Sequence, residues 1–144
     1  MNYMKGEKMF LDTNIIVYAY DKSAEAKHHI AQQILIDLWQ SGMGIISTQV
    51  LQEFFVRVTN KISKPLGTAV AKEVLNDFMT WDIVVNDKDS IMQAIDIHTR
   101  YRYSFWDALI IQAAIKGGAS LLCSEDLQSG QIIHGIKILN PFLS

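Results

Sequence analysis

Cysteine is almost missing from this chain. Cys123 stands alone among 144 residues, so no internal disulfide can form, and a buried free thiol in a reducing cytosol is expected. Proline is nearly as scarce, with Pro65 and Pro141 alone. No Pro/Ser-rich linker, low-complexity tract or internal repeat marks a seam, and one domain over residues 1–144 is expected. Long apolar runs are missing too. The richest stretch, Ala108 to Ile115, is broken by Gln112 and is too short for a bilayer. Met1 to Lys8 lacks the apolar centre of a signal peptide, so a soluble, cytoplasmic chain with no membrane partner is expected. No sign of charge dominates. A net charge of −2 argues against strong whole-molecule attraction to nucleic acid but leaves room for a local basic patch. A Gly-rich phosphate loop ahead of a helix and a Gly-x-Ser-x-Gly elbow are both wanting, which sets aside those nucleotide-binding and esterase chemistries.

What is present is an ordinary soluble composition, 49% hydrophobic and 19% charged, in a chain long enough to bury roughly two-thirds of its unfolded surface. Short apolar segments at Met9–Leu11, Gly44–Ser47, Asp82–Val85, Leu121–Cys123 and Ile136–Leu139 read as five strands. Helical patterns fall between them. One starts at Thr13 or Asn14. A second is capped by Ser23, carries Ile30, Ile34 and Leu38 every fourth residue, and ends at Gly42 and Gly44. A third is capped by Thr48, with Val50, Leu51, Phe54, Phe55 and Val58 on one face. A break over Lys61–Pro65 precedes a helix to about Thr80, and another runs from Ser90 to about Tyr101. The last starts at Ser104, is apolar nearly all round, and stops at Gly117–Gly118. Strands alternating with helices imply crossovers and a buried, mostly parallel sheet. The expected class is α/β, a three-layer sandwich with a five-stranded central sheet.

The acids at the borders of these segments carry the chemistry. Asp12 ends the first strand and Asp126 follows the fourth, at the sheet edge where ligands bind in such folds. Glu53 lies beside the apolar stripe of the third helix, and Asp107 in the first turn of the apolar one. Each has an ordinary alternative. Asp12 can cap a helix. Glu53 can pair with Arg57 four residues on, worth about 0.2–0.5 kcal/mol. Asp107 can complete a capping box with Ser104, and Asp126 can sit in a solvated turn, with Glu125 the more solvent-facing of the two. Together they form an oxygen-only set, without paired cysteines or spaced histidines, that suits Mg²⁺ or Mn²⁺ better than Zn²⁺. His28 and His29 diverge on a helix, and His98 and His134 are isolated. Carboxylates sharing a site with such an ion suit phosphodiester hydrolysis.

At Phe10-Leu11-Asp12-Thr13-Asn14, Thr48-Gln49-Val50-Leu51-Gln52-Glu53-Phe54, Phe105-Trp106-Asp107-Ala108-Leu109-Ile110, Leu121-Leu122-Cys123-Ser124-Glu125-Asp126-Leu127 and Ile138-Leu139-Asn140-Pro141-Phe142, the chain resembles PIN-domain ribonucleases over essentially its whole length. It is most similar to the VapC-type toxins of bacterial toxin–antitoxin pairs. The resemblance implies metal-dependent endonucleolytic cleavage of RNA, leaving a 5′-phosphate and a 3′-hydroxyl. Asp12 and Asp107 would be the principal Mg²⁺ or Mn²⁺ ligands, with Asp126 and Glu53 completing the acidic pocket. Thr13, Asn14 and Ser124 would orient carboxylates or the scissile phosphate. A homodimer and a small antitoxin whose segment occupies the groove are implied as well.

Lys61, Lys64, Arg100 and Arg102 are candidate phosphate contacts, or an ordinary solvated face. Tyr101, Tyr103 and Trp106 are candidate base-stacking groups, with Trp106 placed rather in the core. Two rival functions stand beside this one, the first on the same scaffold and the second on another small α/β unit with acids at strand ends. A non-catalytic RNA- or partner-binding module would show no metal-dependent activity. A receiver-like signalling domain wants adjacent acids after the first strand, where this chain has Asp12-Thr13-Asn14.

Overall fold

The computed structural model describes residues 6–143. Strand β1 (Met9–Leu11) leads into α1 (Thr13–Tyr20), a short 3₁₀ turn at Lys22–Ala24 and α2 (Ala26–Ser41). Then come β2 (Gly44–Ser47), α3 (Thr48–Asn60), α4 (Thr68–Phe78), β3 (Asp82–Val84), α5 (Lys88–Tyr101) and α6 (Phe105–Lys116). The chain ends through β4 (Leu121–Cys123), β5 (Ile132–Ile133) and β6 (Ile136–Leu139).

The sheet order is β3-β2-β1-β4-β6-β5, with every pairing parallel except β5 with β6. Right-handed crossovers fix the layers. From β1 to β2 to β3 the chain steps one way across the sheet, laying α1–α4 on one face. From β3 back to β4 it steps the other way, laying α5 and α6 on the opposite face. The helix contacts agree, since α1 packs on α2 and α3, α3 on α4, and α5 on α6. The direction therefore reverses at the β1–β4 pair, where Leu11 lies beside Cys123. A crevice opens outside the carboxyl ends of strands at such a reversal.

β1, β2 and β4 are buried along their whole length, as parallel strands covered on both faces must be. Helix α6 is the innermost helix, with Ala108 through Ala114 all buried. Its end comes so close to the sheet that a Cβ on Gly117 would lie 2.9 Å from Ile45 and Val84. Gly44 is tighter still: Trp81 lies across it, and a Cβ there would stand 2.3 Å from the indole. Trp81 stacks edge-on with Trp39 and Phe78, closing the sheet at its β3 side.

Several boundaries differ from the sequence reading. Ser47 rather than Thr48 caps α3, its hydroxyl accepting the Val50 amide at 3.3 Å, because Ser47 still has extended backbone and Thr48 is already helical. Ser23 does not cap α2 but lies inside the 3₁₀ turn, which Asp21 caps. There Asp21 accepts from Ser23, and α2 starts after Glu25 at φ +57°. Helix α4 begins three residues beyond Pro65, and α5 starts at Lys88 under a capping box between Asp87 and Ser90. The sheet has a sixth strand. His134 and Gly135, both at positive φ, make the tight turn from β5 to β6, a backbone shape that Asn-Gly signals more plainly than His-Gly.

Candidate functional site

Four chain segments wall one open hollow of about 390 Å³ at the β1–β4 reversal. Asp12, Thr13 and Asn14 come from the end of β1 and the start of α1. Gln49, Gln52, Glu53, Val56 and Arg57 come from α3, Trp106, Asp107 and Ile110 from α6, and Asp126 from the loop after β4. The α3 members recur at i, i+3, i+4, i+7 and i+8, one face of a helix. Glu53 thus stands on the border between the buried stripe and this second face. All four acids expected from the sequence line the same hollow.

The polar residues beside the acids hold them in place. Asp12 is buried, with 6% of its surface exposed. One carboxylate oxygen accepts the Thr13 amide at 2.7 Å and the other the Ser124 hydroxyl at 2.8 Å. Ser124, itself fully buried, also accepts the Asp126 amide at 3.2 Å. Thr13 donates its hydroxyl to Glu53 Oε1 at 2.6 Å, and Asn14 Nδ2 donates to Asp126 Oδ2 at 3.0 Å. Thr13, Asn14 and Ser124 each therefore touch an acid.

Burial pushes the Asp12 carboxyl up from 3.8 to about 6, against the hydrogen bonds from Ser124 and Thr13 and with help from the charges of Asp126 and Glu53. Burial likewise raises the half-buried Asp107, opposed by its bond with Ser104 and aided by Asp126 and Glu53. The acids feel one another's charge, as like groups in one site do. Among the described residues, no group of three or more His, Cys, Asp or Glu side chains converges tightly enough to hold a metal ion as they stand. Glu53 leans on Thr13 and Asp126 on Asn14 rather than towards a common centre. The donor chemistry, carboxylate oxygens with no sulfur or imidazole in the lining, fits a hard cation.

Three side chains depart from the sequence reading. Arg57 does not pair with Glu53; its guanidinium reaches Asn14 Oδ1 instead. Of the residues lining the hollow, it is the one cation. Glu125 is not the solvent-facing acid. It accepts from the Tyr18 hydroxyl at 2.6 Å and from Lys27, while Asp126 is exposed. Burial works against the Glu125 charge, but the Lys27 and Tyr18 bonds outweigh it and hold its carboxyl below the usual range. Trp106 is not core: 64% of its surface is exposed, on the rim of the hollow.

Lys61, Lys64, Arg100 and Arg102 are exposed and do not line the hollow. Tyr103 is committed elsewhere, donating to Gln131 and accepting the Gln128 amide. Cys123 is a buried free thiol, and burial raises its pKa far from reactivity. Gln49 went unnoticed in the sequence as a site residue. Its amide nitrogen lies 3.5 Å from Glu53 and 3.4 Å from the Trp106 carbonyl, tying α3 to α6 across the hollow. The four-residue step from Gln49 to Glu53 was its available signal.

The family model described as PIN domain matches residues 9–131. No curated protein sequence matches the chain. Among solved structures, the chain is similar to Mycobacterium tuberculosis VapC20, described as a sarcin-ricin loop cleaving toxin (22% identity, TM-score 0.63, 80% of this chain and 87% of that one). It is also similar to a toxin-antitoxin complex from Klebsiella pneumoniae (18% identity, TM-score 0.69, 94% and 98%). A third likeness is to VapBC2 from Rickettsia felis bound to a DNA fragment from its promoter (21% identity, TM-score 0.61, 90% and 96%). At these identities the likeness speaks for the fold.

Proposed function

The chain belongs to the PIN-domain family, and on that premise we propose that it is a metal-dependent endoribonuclease, the toxin of a toxin–antitoxin pair. The observation that carries this reading is the meeting of Asp12, Glu53, Asp107 and Asp126, from four separate segments, in one hollow. A divalent cation, Mg²⁺ or Mn²⁺, held principally by Asp12 and Asp107 with Asp126 and Glu53 completing the pocket, would activate water and neutralise charge on the phosphoryl oxygens. Ser124 and the Thr13 amide fix both oxygens of Asp12. Thr13 holds Glu53, and Asn14, itself gripped by Arg57, holds Asp126. Burial raises the Asp12 and Asp107 carboxyls, and a bound cation would favour their ionised forms.

The toxin role is supported by the neighbours' descriptions as toxins and toxin–antitoxin complexes. A cognate antitoxin, a homodimer, a cytoplasmic location and the single-domain organisation of residues 1–144 belong to the same proposal. No helix of the described residues is long and apolar enough to cross a membrane.

The test is incubation of the purified chain with defined transfer, ribosomal and messenger RNAs, with and without Mg²⁺ or Mn²⁺. Metal-dependent cuts bearing a 5′-phosphate and a 3′-hydroxyl are expected, and Asp12→Asn and Asp107→Asn should each abolish them. Cutting at the parent rate by either variant would show that the ligands are assigned wrongly.

A further inference from the structure

One wall of the hollow is unlike the rest. Trp106 occupies the first turn of α6, whose residues from Ala108 to Ala114 are buried, yet most of its indole faces solvent. It is followed directly by Asp107, and its carbonyl accepts from Gln49 of the facing helix. Phe105 braces the ring edge-on, with centroids 5.3 Å apart and planes at 76°. Val56, 51% exposed, lines the hollow from α3. The site thus combines acids with a braced, solvent-facing aromatic plane and an aliphatic neighbour.

Charge alone gives an anionic substrate little reason to stay here. The four acids of the lining repel it and outnumber the one cation there, Arg57. A nucleic acid strand carries a second handle, the flat faces of its bases. A base inside a duplex has both faces covered, whereas an unpaired one can lie on an aromatic side chain. Such stacking is largely indifferent to sequence, because every base has a π-face. We propose that Trp106 is the stacking platform for one unpaired nucleobase of a single-stranded RNA whose phosphodiester lies over the acids. The inference rests on the nuclease reading of the hollow, and it makes the enzyme selective for unpaired segments.

The test measures binding of a short, fluorescently labelled single-stranded RNA in Mg²⁺, with Asp12→Asn present throughout so that no bond is cut. Adding Trp106→Ala should weaken binding about 5- to 150-fold, the range for losing one stacked base, while Trp106→Phe stays within about threefold. The matched duplex should bind equally with or without the indole. RNA-dependent quenching of tryptophan emission should vanish in Trp106→Ala, although Trp39 and Trp81 remain. Equal single-strand affinity in Trp106→Ala, an equal loss on the duplex, or no RNA binding in the Trp106 parent would each overturn the platform. The two readings fail separately. If the unmodified chain cuts RNA and Trp106→Ala cuts and binds as well, the platform falls and the nuclease stands. If nothing is cut with any metal, yet single-strand binding still needs Trp106, the platform survives.

Discussion

Asp12 is placed where a carboxylate is costly, and that cost can be measured. Its displacement from 3.8 to about 6 corresponds to about 3 kcal/mol against the ionised folded state. Between those values the folded chain holds a proton that the unfolded chain has released, so stability from this group falls as pH rises. The contribution is fully present below about 3.8 and lost above about 6. Replacing Asp12 with Asn removes the charge and lets the new amide donate to Ser124. Asp12→Asn should therefore melt several degrees above the parent at pH 8, and the gap should close towards pH 4. Calorimetric melting of both chains across that range checks it; a gap independent of pH would refute the buried-charge account. At this scale the sequence revealed the acids but not their company. Asp12 could be read from its place after an apolar triplet. The engagement of Glu125 by Tyr18 and Lys27 depends on contacts across about a hundred positions of chain, and no local pattern announces it. Trp106 misled for the opposite reason: the helix it opens is core from Ala108 onwards, but its own position in the first turn of α6 faces the hollow.

Elements position the site through two fittings that single substitutions should expose. Trp81 lies on Gly44 so closely that a methyl group has no room. Gly44→Ala should destabilise by about 1–3 kcal/mol, the usual cost of overpacking, read from a denaturant midpoint. Unchanged stability would mean that the indole swings aside freely. The loop after β4 is the second fitting. Tyr18 of α1 and Lys27 of α2 clamp Glu125, and its neighbours Ser124 and Asp126 both belong to the hollow. Tyr18→Phe deletes one hydrogen bond to a charged acceptor, a loss of about 1.5–3 kcal/mol at most. It should lower kcat for RNA cleavage several-fold with KM nearly unchanged, since the clamp acts through Asp126 rather than on substrate. A change in KM alone would argue against that role. Apolar periodicity located every helix and five strands to within a few residues. Capping was harder to read, because Ser47–Thr48 and Asp87–Ser90 each offer several oxygens and only backbone geometry chooses among them.

For the whole molecule, strand order decides where the acids can meet. The alternating pattern implied a parallel sheet, and the observed order adds that the direction of winding reverses at β1 and β4. Asp12 and the Ser124–Asp126 loop leave the sheet side by side there. A set of acids that repel one another should welcome a cation. Mn²⁺ or Mg²⁺ at neutral pH should raise the melting temperature of the parent by several degrees, about 2.7 kcal/mol at a hundred times the dissociation constant. Asp12→Asn should gain less; an equal rise in both, or none, would count against ion binding in the hollow. The spread of these carboxylates from position 12 to position 126 also has a consequence for synthesis. A ribosome making this polypeptide releases the first acid early and the last only once β4 has followed it out. Until then the nascent chain lacks one wall of the hollow, and its four acids cannot yet meet.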